Sequence, residues 1–347
     1  MGASRHKTEA IRRFIVEQVS NHPKDIAKAV ADEFRISRQA VNLHIRRLVD
    51  EGLVLSQGST RSRRYALRPL VDWSKAYSTS QALAEDVVWR DDILPHLQTL
   101  PERVLNIWLY AFTEMFNNAI DHSAGHVVLV QLRRTAASVE LAIYDDGVGI
   151  FRKIQQALAL LDERHAVLEL AKGKLTTDPA RHTGEGIFFT SRVLDGFQIL
   201  SGGTYFSHEF GEDEDWILER DKFASGTTVW MRLSSQATRT LEDTVKEYES
   251  PDDRAFVKTV VPVRLAQYGD QMLVSRSQAK RLLARVERFR TVLLDFKNVE
   301  TIGSAFADEV FRVFAAQHPE VRLVAINASL EVTAMIDRSV GIQREQG

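Results

Sequence analysis

The sequence predicts an α/β multidomain protein, and three observations carry that expectation. A long apolar helix over residues 101 to about 121 carries Glu114, Asn118 and Asp121 at i, i+4 and i+7, a spacing that shares one helical face. A strand then ends in Asp145-Asp146-Gly147-Val148-Gly149. Beyond residue 255 strand and helix patterns alternate, as they do in a small α/β domain. A chain of 347 residues has length for two or three such units, each with its own core.

The first 70 residues read as three short helices and two strands. Ile11, Phe14, Ile15 and Val19 recur at helical spacing, and Ile26, Ala29, Val30 and Phe34 mark a second helix. Ser37 is placed to cap a third, whose inner face is Val41, Ile45 and Leu48. Arg38, Gln39, Asn42 and Arg46 point outward from that helix. Gly52 stops it, and two short apolar runs then flank a turn containing Arg61, Arg63 and Arg64. This segment resembles a winged helix-turn-helix along its whole length. The resemblance implies that Arg38, Gln39 and Asn42 meet base edges in a major groove. Arg46, Arg61, Arg63 and Arg64 would hold phosphate without reading sequence. Double-stranded DNA is the partner this implies; a protein-contact role with solvated basic residues is the alternative.

Charge divides the chain in the same place. Residues 1–70 hold 14 Lys/Arg and 7 Asp/Glu, a balance of +7, whereas the rest carries −9. Only the first part has the sign expected of a nucleic-acid contact. There is no cysteine, which excludes disulfides and zinc–thiolate sites. No apolar run approaches the ~20 residues that cross a bilayer. A soluble, cytoplasmic protein without membrane contact is expected.

The polar stripe on the helix at 101–121 is the strongest functional signal. Its surroundings, including Val104, Ile107, Trp108, Phe112, Met115 and Phe116, are those of a buried helix, where unpaired polar groups are costly. Alone, Asn117-Asn118 and Asp121-His122-Ser123 could fray and cap a helix end, and Asp-Asp-Gly could be an ordinary turn. With the downstream Thr183-Gly184-Glu185-Gly186-Ile187 and Ser225-Gly226-Thr227-Thr228-Val229, the set describes a pocket for a metal, a water and a nucleobase. The four motifs, in this order, resemble the GHKL family, the ATP-binding domain shared by DNA gyrase, a class of heat-shock chaperones, histidine kinases and MutL proteins. The likeness covers about residues 101–235 and implies a Bergerat-type α/β sandwich ATPase domain.

In that family the acid matching Glu114 is the general base, and the asparagine matching Asn118 ligates magnesium. The aspartate matching Asp145 reads adenine. ATP and Mg2+ are therefore the implied cofactors. Asp121, Gly147, Gly149, Gly184, Gly186 and Thr227 complete the expected nucleotide contacts, and the segment from Gly149 to Gly184, with Lys172, Lys174, Arg181 and His182, corresponds to a lid. The chemistry agrees with these roles. A carboxylate fixed at a strand end accepts from the exocyclic amine of adenine. Magnesium takes one or two protein oxygens alongside phosphates and water. Glycines at a helix start let N–H groups approach phosphate. P-loop and Rossmann spacings are missing, as are H-E-x-x-H and any phosphoacceptor-histidine box.

Residues 71–100 read as a connector that is helical in part, with Trp73, Trp89 and Ile93 free to pack on a neighbour, and residues 236–255 as a linker. Residues 256–347 then alternate: strand 260–266, helix 278–289, strand 291–296, helix 305–317, strand 321–326 and helix 330–339. The run Leu294-Asp295-Phe296-Lys297-Asn298-Val299, continued by Ile302-Gly303-Ser304-Ala305-Phe306, resembles the central motif of STAS domains, the fold of anti-sigma-factor antagonists. Ser304 matches that family's phosphoacceptor, while Gly303 and Phe306 depart from its pattern. Ser304 is more readily read as a helix N-cap, with the phosphoacceptor as the alternative. Such a domain implies a protein partner.

Together these features predict an ATP-binding transcriptional regulator in which a nucleotide switch controls a winged-helix reader and a STAS-like module. Two further readings remain. One is a serine/threonine kinase of the anti-sigma-factor type, with Ser304 as acceptor. The other is a DNA-processing or defence clamp that forms an ATP-dependent homodimer, although no transducer domain is recognisable.

Overall fold

The structure, a computed structural model, describes residues 2–59, 62–80, 83–175, 184–211, 216–249, 256–267 and 272–341. It is mixed α/β, with three separate sheets.

Helices Gly2–Gln18, Ile26–Phe34 and Arg38–Asp50 come first, followed by β1 (Val54–Gln57) and β2 (Arg64–Leu67), which pair antiparallel. Ile11, Ile15, Val19, Ile26, Val30, Val41, Ile45 and Leu48 close a core of their own. The second helix ends where Arg35 turns left-handed (φ 49°), a conformation that cannot propagate a right-handed helix. The third starts at Ser37, whose Oγ accepts the Ala40 N–H at 3.2 Å, satisfying a donor that the first turn leaves open.

The middle of the chain builds an antiparallel sheet in the order β3-β4-β5-β7-β6, from β3 (Val71–Ser78), β4 (Val127–Arg134), β5 (Ser138–Asp145), β6 (Gly196–Glu209) and β7 (Trp216–Ser234). Each strand buries alternate residues: Val128, Val130 and Leu132 on β4, Val139, Leu141 and Ile143 on β5, and Val229, Met231 and Leu233 on β7. That face is covered by helices Glu102–His122, Ile150–Ala157 and Gly186–Val193. On Glu102–His122 the side chains of Trp108, Phe112 and Phe116 are fully buried, each stabilising by roughly 1.5–3 kcal/mol relative to exposure. The expectation of a mere connector at 71–100 is corrected here. Residues Val71–Ser78 are the edge strand, in register with β4 from Val71↔Arg134 to Ser78↔Val127. Val71, Trp73 and Tyr77 face inward while Asp72, Ser74 and Ala76 are exposed, but the exposed Lys75 interrupts the inward series, so periodicity understates the strand.

Beyond helix Leu241–Tyr248, β8 (Lys258–Pro262), β9 (Thr291–Asp295) and β10 (Arg322–Ile326) form a parallel sheet in the order β10-β9-β8. Helices Arg276–Leu283, Ser304–Asp308 (continuing through a π-helical stretch, Glu309–Phe314, to Gln317) and Leu330–Gly341 connect and cover it. Three expected boundaries move. β8 stops at Pro262 and gives way to a 3-10 turn, Val263–Ala266; proline has no N–H to carry the ladder on. The helix expected from 278 starts at Arg276, because Ser275 and Gln278 form a capping box. It ends early, before Arg285 (φ 62°) turns left-handed. The apolar side chains of this unit and of the five-stranded unit belong to one continuous core. Among the described residues no helix is long and apolar enough to cross a membrane.

Candidate functional site

A cavity of about 290 Å³ opens between helix Glu102–His122 and the ends of β5 and β7. Glu114, Asn118 and His122 line it from the helix, Asp145 and Thr227 from the sheet, and Gly184 and Gly186 from the opposite wall. Asp121, expected in the same stripe, is exposed and does not line it. The helical repeat explains the difference. Each i+4 step advances about 40° toward the packed side, whereas i+7 falls back about 20°. The stripe that follows the cavity is thus Glu114, Asn118, His122.

Asp145 sits in a cross-strand row, Val128↔Asp145↔Thr227↔Ser201, at the open end of an otherwise apolar sheet face. The residue is only 5% exposed. Asp145 Oδ1 accepts the N–H of Gly147 at 2.9 Å and of Thr227 at 3.3 Å. Burial pushes this carboxyl above the usual carboxylate range, and the bonds from Gly147 and Thr227 oppose that shift. Thr227 Oγ1 in turn accepts the Ile150 N–H at 3.0 Å, tying the strand to the start of the next helix. Ser201 Oγ donates to Gly226 O at 3.0 Å. Asp146 points the other way, accepting from His126 N at 2.7 Å and Val127 N at 3.0 Å. Those backbone bonds hold its carboxyl below the usual range.

The expected glycines serve different ends. Gly186 begins helix Gly186–Val193, and a Cβ there would collide with the Glu114 carboxylate. Glu114 therefore lies against a helix N-terminus. Gly184, next to it, packs on the Leu175 backbone, where a Cβ would fall 2.5 Å from carbon. Gly149 has φ 94° and caps Ile150–Ala157, which demands glycine. Gly147 and Gly149 shape the turn and do not line the cavity. Half-buried Tyr110 has its phenol pushed up by burial and then by the negative charges of Glu114 and Glu185.

Lys153, His122 and Ser201 belong to this region and carry no motif. Lys153 lines the cavity and donates from Nζ to His122 O at 2.8 Å. Ser201 continues the buried alternation Phe197, Ile199, Ser201 on β6, and a polar residue closing such a series is the signal that could have found it. Leu170, Leu175 and Phe188 complete the apolar wall. The basic residues expected over the nucleotide are placed otherwise. Lys172 is buried (2% exposed) against the C-terminal unit, and Lys174 Nζ lies over the rings of Phe256 and Phe289 at 5.4 and 5.2 Å. Arg181, His182 and Thr183 lie outside the described residues.

In the N-terminal unit Arg38, Gln39, Asn42 and Arg46 are all exposed on helix Arg38–Asp50, and Arg63 and Arg64 are exposed at the hairpin. Arg61 lies outside the described residues. His44, on the inner side of the same helix, has its imidazole pulled down by burial and by Arg47 and Arg12.

Ser304 is exposed and is the first residue of its helix. The capping expectation is corrected: Gly303 occupies the cap position, and no side chain caps the helix. Gly303 also approaches Val274 so closely that a Cβ would fall 2.8 Å from its Cα, which accounts for glycine where an acid was expected.

Residues 278–333 match a family described as a STAS-like domain of unknown function (DUF4325). No curated protein matches the chain. The matched stretch runs from helix Arg276–Leu283 through β9 and β10 into the last helix, so these elements of the C-terminal unit form the STAS-like part of this chain.

Proposed function

We propose that this chain is an ATP-binding, DNA-binding transcriptional regulator in which a GHKL-type nucleotide site controls a winged-helix reader and the STAS-like module. The observation that carries the reading is the convergence of Glu114, Asn118, Asp145, Thr227, Gly184 and Gly186 on one cavity. Its volume, about 290 Å³, is close to the lower end of the ~300–1,000 Å³ usual for ligand pockets. Glu114 and His122 are eight residues apart on one helix, an axial span of about 12 Å. A base held beside Asp145 and a phosphate tail beside Glu114 would occupy opposite ends of that span.

The residues fit the cofactors. Asp145 is buried with Oδ1 fixed by two backbone donors, as a carboxylate that accepts from an adenine amine needs to be. Gly184 precedes and Gly186 begins a helix whose N–H groups suit phosphate. Asn118 offers a side-chain oxygen to magnesium. Among the described residues no group of three or more His, Cys, Asp or Glu is placed to hold a metal, so magnesium at Asn118 would rely on phosphate and water for its remaining ligands. When bound, ATP supplies a transferable phosphoryl group. In this reading Glu114 would take the proton of the group that attacks it.

Titration calorimetry with Mg·ATP and a phosphate-release assay test the reading. The parent is expected to bind, Asp145→Asn to lose binding, and Glu114→Ala to bind without turnover. Equal binding and turnover in all three would overturn the site. A second reading, a serine/threonine kinase with Ser304 as acceptor, is favoured by one observation: Ser304 is exposed with no capping duty. Label from γ-labelled ATP that disappears in Ser304→Ala would select it; phosphate release without label would select the switch.

A further inference from the structure

We propose that Lys172 is a positioning residue for the cavity: it fixes the wall formed by Leu170 and Leu175 to the STAS-like domain, so that nucleotide binding and the packing of that domain depend on each other. This inference rests on reading the cavity as a nucleotide site. Leu170 and Leu175 line the cavity, and Lys172 between them is turned away from it. Its Nζ donates to Glu169 Oε1 at 2.7 Å, to Ala284 O at 2.7 Å and to Arg281 O at 3.3 Å, which uses all three donors of an ammonium. Those two carbonyls end helix Arg276–Leu283, where the last carbonyls lack helical partners and favour a cation. Arg285 Nη1 approaches the other oxygen of Glu169 at 3.3 Å.

The backbone is held as firmly as the side chain. Thr259 Oγ1, on β8, donates to Lys172 O at 2.6 Å, and Arg288 Nη1 donates to Lys174 O at 2.9 Å. Gly173 leaves no room for a side chain, because a Cβ would fall 2.9 Å from Phe188 and 3.0 Å from Phe256. Phe188, itself a cavity residue, packs on Phe256 at 4.9 Å between ring centres. Leu175 N–H then donates to Gly184 O at 3.1 Å, which joins the two ends of the segment between them. Stability alone does not call for such a cluster, since buried ion pairs are often matched by apolar replacements. What it provides is one defined placement of the wall.

Hydrogen exchange of the full chain, with and without a non-hydrolysable ATP analogue and magnesium, tests this. In the parent, nucleotide should slow exchange at 163–175 and also at 256–262 and 276–285, which do not line the cavity. The paired variant Glu169→Gln/Lys172→Met removes both charges at similar volume. It should bind nucleotide about fivefold or more weakly, and should lose the protection at 276–285 while keeping that around Asp145. Thr259→Val, which removes only the hydroxyl bond, should weaken binding less. Parent protein that binds nucleotide with no change at 256–262 and 276–285 overturns the inference and leaves the cavity reading standing. Parent protein that binds no nucleotide overturns both. Should the paired variant fail to fold, the parental exchange pattern and Thr259→Val still decide the matter.

Discussion

Thr227 stands directly across from Asp145 in the β5–β7 register and donates its backbone N–H to Asp145 Oδ1 at 3.3 Å. The carboxylate is thereby oriented but remains in a poorly solvated position, and burial raises its pKa. A raised folded-state pKa means that the folded chain holds the proton longer than the unfolded chain does. Stability from this group therefore falls as pH rises from the ordinary aspartate range through the raised value. Asn carries no such penalty. Asp145→Asn is expected to be more stable than the parent at neutral pH, with the advantage vanishing at acidic pH. Urea melts across a pH series check the sign, and the same variant should fail to bind nucleotide.

Gly186→Ala would drive a methyl group into the Glu114 carboxylate. The contacted atoms are the far end of a flexible side chain, so Glu114 relieves the clash at little cost in stability by leaving its place at the helix start. Thermal melts should shift little, while phosphate release should fall further than nucleotide affinity does.

The two serines at helix starts should behave differently. Ser37→Ala removes a side-chain cap and should cost about 0.5–2 kcal/mol. Ser304→Ala removes no cap and should stay within about ±0.5 kcal/mol of the parent. Denaturant melts of the two variants make the comparison.

On duplex DNA, replacing Arg63 or Arg64 with Ala should weaken binding similarly for all sequences and lower the salt slope by about one per residue. Asn42→Ala should leave the slope unchanged and relax preference at one base pair, at a cost of about 1–3 kcal/mol there. Fluorescence anisotropy across a salt series separates the two; equal slopes for all variants would remove these arginines from phosphate contact.

Much of this architecture was legible because local chemistry and tertiary need agree. Ser37, the apolar ladder of Trp108, Phe112 and Phe116, and the Asp145 turn each announce themselves within a few residues. What escaped depends on contacts between distant segments. β3 is an edge strand whose partner residues lie about 50 to 60 positions later, and the exposed Lys75 breaks its inward-facing series. Asp121 falls outside the cavity because a spacing of seven and one of eight differ only in which side faces the core. Lys172 looked like a solvated lid residue, since nothing in its own segment reveals the carbonyls of Arg281 and Ala284. His122 and Lys153 meet through a main-chain oxygen, which no side-chain pattern encodes.

The join between β2 and β3 sets how the amino-terminal unit can move. Only residues 68–70 separate the hairpin from the edge strand, and both flanks are tied down, Arg68 N to Leu53 O at 3.0 Å and Leu70 N to Arg134 O at 2.7 Å. A tether this short limits how far the two units can separate, and a few inserted glycines would relax that limit.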